Sequence, residues 1–236
     1  MPKLTAAAVK ARLDALGRPA AALAAARFFK TGQGQYGAGD VFIGINTPTL
    51  RAVAKSSVDL SLAETVKLLR SPIHEHRGTA LMVWVMQYAA GNTADQKAIF
   101  DAYLANTRWI NNWDLVDLSA PGIVGRWLET RSRRPLKRLA QSISLWERRI
   151  SIVATLHFIR LGDFSSTFAV SEQLIGDPED LIHKAVGWML REVYKRDAKA
   201  AVAFLERHLP RLPRTSLRYA IERCDVETRK RLMARA

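Results

Sequence analysis

Apolar residues recur at three- and four-residue spacing along most of the chain, and the two-residue alternation of a half-buried strand is nearly absent. HEHRGTALMVWVMQYAA (74–90), IHKAVGWMLREVYKR (182–196) and DAKAAVAFLERH (197–208) carry the pattern, and each predicts a helix with an apolar side turned to a core. Start signals agree with this. Thr47-Pro48 reads as an N-cap followed by proline at the first helical position, where its missing N–H costs nothing. Ser61-Leu-Ala-Glu64 and Ser144-Leu-Trp-Glu147 match the capping box, in which a hydroxyl and a carboxylate satisfy the first free N–H groups of a helix. Connections such as Gly91-Asn92 and Gly176-Asp177-Pro178 are short, and TGQGQYGAG (31–39) reads as a surface loop. The rhythm predicts about a dozen helices of roughly 10–18 residues and no sheet, stacked as antiparallel pairs that take about 35–45 residues each, the period of HEAT and armadillo arrays. The expected fold is therefore all-α, a right-handed α-solenoid of HEAT-like helix pairs forming one repeat domain over residues 1–236, with a compact helical bundle as the alternative.

Composition narrows the class. Of 236 residues 48% are hydrophobic, with 13 Gly and 9 Pro, so neither a disordered nor a fibrous chain fits. No apolar run reaches the length of about 18 residues that a membrane-spanning helix requires. The Ala-rich start is interrupted by Lys10, Arg12, Asp14 and Arg18, and it predicts two short helices rather than a signal peptide. Cys224 is the only cysteine, which excludes an internal disulfide, suits a reducing cytosol and predicts a small buried side chain. A cytoplasmic, nucleoid-associated monomer is the expectation.

Charge changes the picture further. The formal net charge is +14, and its excess lies in two places. Between Arg126 and Arg160 nine Lys or Arg face two Glu, and from Arg191 to the end thirteen face six acids, each segment netting +7, while the rest of the chain is neutral. Clustering on this scale is what a surface for a polyanion requires, and nucleic acid is the expected partner.

Two motifs that suggest chemistry do not support it. GQGQYG (32–37) spells a dinucleotide fingerprint, yet a helical segment precedes it where a strand is needed, and Asp59 is misplaced for the ribose. His74-Glu75-His76 invites a metal, but two histidines two apart point to different sides of a helix and no further ligand cluster converges, so no metal or cofactor is expected. NNWDLVDLSAP (111–121) is more informative. With Asn112 as the cap, Asp114 falls in the first turn, where a carboxylate complements the helix dipole. Trp113 and Asp117 lie four apart on one helix face. Either Trp113 enters the core while Asp117 pairs with an arginine, or indole and carboxylate together receive a cation. In SLWERRISIVATLHFI, Arg148 and Arg149 fall in the first turns of a helix and suit a phosphate or a carboxylate. In HKAVGWMLREV, Gly187 beside Trp188 would let another element approach.

WDLVD (113–117), WERR (146–149) and KAVGWMLRE (184–192), in this order and spacing, resemble the bacterial DNA alkylation-repair glycosylases of the AlkD type, and GINTPTLR (44–51) is similar to an early segment of that family. The resemblance covers about residues 20–195. It implies HEAT-like repeats with a concave basic face that grips double-stranded DNA containing alkylated bases. It further implies that Asp117 is the catalytic carboxylate, that Trp113 and Trp188 flank the damaged nucleotide and that Arg149 contacts the adjoining backbone. Arg148 is the weaker match, because the family arginine stands three residues after the tryptophan. Thr47 and Arg51 of the early segment join the candidate DNA-binding residues. Phe28 stands where a tyrosine is common and Asn112 where a second tryptophan is, which bears on lesion range or rate. The implied activity is hydrolysis of the N-glycosidic bond of cationic purines such as N3-methyladenine and N7-methylguanine. The alternatives are a non-catalytic helical scaffold for nucleic acid and a scaffold for acidic proteins.

Overall fold

A computed structural model describes residues 3–234. Among them the chain is all-helical, with one isolated bridge between Val41 and Ile73 and no strand. The helices are α1 (Ala6–Asp14), α2 (Pro19–Phe28), α3 (Thr47–Lys55), α4 (Leu62–Leu69), α5 (His74–Ala90), α6 (Thr93–Ala105), α7 (Trp113–Ala120), α8 (Arg134–Ala140), α9 (Leu145–Ala154), α10 (Leu156–Arg160), α11 (Ser165–Leu174), α12 (Asp180–Tyr194), α13 (Ala198–His208), α14 (Arg214–Ala220) and α15 (Val226–Ala234). Eight of the fifteen are nine residues or shorter, below the expected length. The long periodic segments are interrupted locally: SLWERRISIVATLHFI breaks at Thr155, whose hydroxyl bonds back to the Ile152 carbonyl at 2.7 Å, so one expected helix becomes α9 and α10.

Two compact units emerge, Met1–Ile123 and Val124–Ala236. In the first, α5 is central, with α3, α4, α6 and α7 packed against it. Eleven of its seventeen residues are buried, which makes it a helix covered nearly all round. Trp84, Leu81, Leu68 and Leu115 are completely enclosed there. In the second unit α12 is central, against α9, α11, α13 and α14, and Ile182, Met189, Leu190 and Val193 are enclosed. Gly187 is the reason α14 can lie so close to α12. A Cβ there would stand 2.5 Å from both the Ser216 carbonyl and the Tyr219 Cβ. Cys224 is buried, as expected.

Caps follow the predicted chemistry with shifts of detail. Asn46, one residue before Thr47, caps α3 by accepting from the Thr49 N–H at 3.0 Å. Thr47 is therefore the first helical residue and Pro48 the second. Ser61 and Ser144 both accept from the glutamate N–H three residues on. The Glu64 carboxylate, however, does not return to Ser61. It accepts from the Ala6 N–H at 2.7 Å and pairs with Lys67, tying α1 to α4. The reciprocal box forms instead at Asn92 and Asp95. The glycine-rich segment 31–39 is a loop, as predicted. No helix of the described residues is long and apolar enough to cross a membrane.

Candidate functional site

In the first unit the site is organised by the start of α7. The Asn112 oxygen accepts from the Trp113 N–H at 2.9 Å and its amide donates to Asp40 Oδ2 at 2.9 Å, so one side chain both starts the helix and anchors it to the loop before α3. Trp113 and Asp117 share one face of this eight-residue helix and both are half-buried, while Leu115, Val116 and Ser119 turn to the core. Trp113 therefore does not enter the core. Behind them the Tyr103 hydroxyl meets Ser119 Oγ at 3.0 Å. Burial pushes this phenol up, opposed by the Ser119 bond and reinforced by the charge of Asp117.

The Trp113 indole lies at the edge of a cluster of rings in which Phe29, Phe42 and His74 all meet, Phe29 and His74 at 5.1 Å. Phe29 stacks on the indole at 5.2 Å and 21°, Phe42 on Phe29 at 4.9 Å and 18°, and the His74 imidazole on Phe42 at 4.4 Å and 24°. Phe28, 64% exposed, meets Trp113 edge-on at 5.9 Å. A phenyl ring at this position keeps an aromatic edge beside Trp113 but offers no hydroxyl.

His74, the first residue of α5, is 3% exposed. Its Nδ1 lies 3.1 Å from Asp40 Oδ2 and its Nε2 2.9 Å from Asp114 Oδ2. Burial alone pushes the imidazole down, but the bonds to Asp114 and then Asp40 outweigh it and hold the group above its ordinary value. Asp40 also takes the Arg77 guanidinium at 2.6 Å and the Asn111 amide at 3.3 Å. Burial pushes its carboxyl up, and His74, Arg77 and Asn112 together bring it below the usual range. The three residues of the His-Glu-His motif thus point to three different segments. Glu75 accepts from the N–H groups of Ile43, Gly44 and Ile45 at 3.1, 2.7 and 3.3 Å. His76 lies between Ser71 at 2.9 Å and Asp14 at 3.0 Å. No group of three His, Cys, Asp or Glu among the described residues is arranged to hold a metal ion.

Gly44, held by Glu75, sits at φ +81°, and a Cβ there would stand 2.3 Å from the Arg18 carbonyl. Glycine in GINTPTLR is what lets the chain pass under α2. Thr47 and Arg51 of the same segment are exposed on α3.

In the second unit Ser144 starts α9. Arg148 is turned to the protein: Nε meets Asp177 Oδ2 at 2.6 Å, and Nη1 donates to the carbonyls of Ser142 and Ile143 at 3.0 Å each. It clamps the loop before α9. Arg149 is 5% exposed and donates to the Leu181 carbonyl at 2.6 Å. Trp188, on α12, is half-buried. The element that Gly187 admits is α14, which packs on the glycine itself.

Asp40, His74 and Arg77 were not legible as a group in the sequence. One signal was present. Arg77 falls in the first turns of a helix whose later residues are apolar, so a charge there calls for a partner, and the structure supplies it as Asp40.

The fold defines an all-helical class in which the part-exposed acid and indole of α7 sit beside an aromatic cluster. The chain belongs to the DNA alkylation repair enzyme family, whose model matches residues 9–224. A solved structure described as a predicted DNA alkylation repair enzyme from Enterococcus faecalis is similar in fold, with a TM-score of 0.69 at 16% identity, over 89% of this chain and 97% of that one. No curated protein matches the sequence significantly.

Proposed function

We propose that the protein is a DNA glycosylase that hydrolyses the N-glycosidic bond of cationic alkylpurines, such as N3-methyladenine and N7-methylguanine, in duplex DNA. The observation that carries this reading is the pairing of Trp113 and Asp117 on one face of α7, both half-buried, in a chain of the alkylation repair family.

The chemistry needs little more. Alkylation at N3 or N7 places positive charge on the base, so the bond is already weakened and the leaving group requires no protonation. The second, acidic carboxyl of an ordinary glycosidase is dispensable. Asp117 stabilises the developing oxocarbenium sugar and orients the attacking water. The Trp113 face attracts the cationic nucleotide by about 0.5–2 kcal/mol. The exposed residues of the basic segments hold the DNA backbone; Arg149, buried and bonded to the Leu181 carbonyl, stays with the protein.

A duplex holding a single N7-methylguanine tests the proposal. The wild type releases free base, whereas Asp117→Asn loses release by at least about a hundredfold, the scale on which a lost charge-stabilising group is felt. Duplex affinity in the variant stays equal or tightens, because a carboxylate facing DNA is lost. Release undiminished in Asp117→Asn removes this residue from the chemistry. Salt-sensitive binding without release of any alkylated base, small or bulky, by the wild type leaves a scaffold.

A further inference from the structure

His74 is placed unlike any other histidine in the chain. Both of its ring nitrogens lie at hydrogen-bond distance from carboxylate oxygens, Asp40 at 3.1 Å and Asp114 at 2.9 Å, and a carboxylate only accepts. Both nitrogens therefore donate, and the ring is an imidazolium. Asp40 is locked, since Arg77, Asn111 and Asn112 also donate to it. Asp114 is not. Among the described residues His74 is its one hydrogen-bond donor, and its other oxygen, Oδ1, is buried without a partner. Asp114 immediately follows Trp113, and the His74 ring also belongs to the aromatic cluster in which Phe29 carries the Trp113 indole. Two separate routes thus connect His74 to Trp113, one through the first turn of α7 and one through Phe29, which meets both rings, at 5.1 Å and 5.2 Å.

We propose that His74, as an imidazolium bridging Asp40 and Asp114, is a positioning residue for Trp113, and that the reaction at the α7 site fails on the alkaline side when this bridge opens. The inference rests on the reading of Trp113 as a substrate-facing residue. The charged groups that face the ring are Asp40 from the loop before α3, Asp114 from α7 and Arg77 from α5 itself. Its neighbours on α5 are engaged elsewhere, Glu75 with the backbone of residues 43–45 and His76 with Asp14 of α1. A neutral imidazole keeps one N–H, so one carboxylate then meets a ring lone pair. Asp40 keeps Arg77, Asn111 and Asn112 whichever nitrogen holds the proton, so its place does not depend on the ring, whereas that of Asp114 does. Asp114, whose side chain is 28% exposed, is the one released, and the start of α7 loosens with it. The sign follows from the raised position of His74. Its contribution is complete below the ordinary histidine value near 6.5 and is lost as pH rises through the higher value of the folded protein.

The test titrates the wild type, Asp114→Asn and His74→Gln upward from about pH 6, just below the ordinary histidine value. Three quantities are followed: the His74 side-chain NMR signals, the Trp113 emission taken as the difference from a Trp113→Phe version of each protein, and release of N7-methylguanine from duplex DNA. In the wild type all three change together on the alkaline side. In Asp114→Asn the amide still accepts from Nε2 but carries no charge, and the common step moves to lower pH by about one to two units. His74→Gln abolishes the step. A merely structural role lowers stability or rate at every pH without moving the step. An alkaline fall that stays in place in Asp114→Asn overturns the proposal, as does Trp113 emission that ignores the His74 titration. If the wild type releases no base at any pH, the glycosylase reading fails, while the NMR and emission arms still decide the bridge. Should His74→Gln lose its helical circular dichroism, Asp114→Asn decides alone.

Discussion

Asn112 shows how much of this site depends on single side chains whose partners are distant in sequence. Its oxygen caps α7 and its amide reaches Asp40, seventy-two residues away. The cap was legible, because asparagine before an amphipathic run is a start signal, and so was the common face of Trp113 and Asp117, because four-residue spacing fixes it. The contact to Asp40 was not legible, nor was the His74 bridge, whose partners lie 34 and 40 residues from the histidine. Local spacing says which way a side chain leaves its helix but not what it meets there. Asn112→Ala is expected to cost about 1–3 kcal/mol, a lost cap plus a bond removed from a buried carboxylate. It would appear as a lower urea midpoint, with the Trp113 emission altered even before unfolding. An unchanged midpoint would mean that Trp113 and Asp40 find other partners.

Among the elements, the long periodic helices were the most legible. HEHRGTALMVWVMQYAA is α5 to the residue, and DAKAAVAFLERH is its cap Asp197 followed by α13. The shorter elements were not, since the break at Thr155, where the hydroxyl bonds back to the Ile152 carbonyl, lies inside an unbroken apolar pattern. Capping boxes were half legible. Serine and glutamate at the right spacing located both helix starts, but Glu64 was drawn off by α1 and Lys67, which the motif does not encode. Gly187 belongs to this scale because it governs how two helices meet. Gly187→Val places methyl groups where even a Cβ stands 2.5 Å from α14, so the variant should lose about 1–3 kcal/mol or more as α14 is forced outward. Thermal unfolding followed by circular dichroism reads this directly, and an unshifted transition would show that α14 yields without cost.

For the whole molecule, charge and helical rhythm set the class from the sequence alone, and membership of the alkylation repair family agrees with both. Counting charges still overstates what is presented to solvent. Of the nine basic residues between Arg126 and Arg160, Arg133, Arg148 and Arg149 are not exposed, and Arg133 and Arg148 hold Asp163 and Asp177. The exposed Arg134, Lys137 and Arg138 of α8 remain available for phosphates. Replacing these three together by alanine is expected to weaken undamaged duplex binding and to flatten the slope of log affinity against log salt by about 2 to 3. An unaltered slope, measured by fluorescence anisotropy, would place the phosphate contacts elsewhere on the chain.

The burial of Cys224 has a consequence of its own. Burial pushes this thiol up, although the Tyr194 hydroxyl partly opposes it, so little thiolate is present at neutral pH. The thiolate is the form that attacks electrophilic carbon. The reagents that methylate purines are such electrophiles, and in this chain they meet no exposed, ionised sulfhydryl. A protein proposed to work where these reagents are abundant thus offers them little of its own to modify.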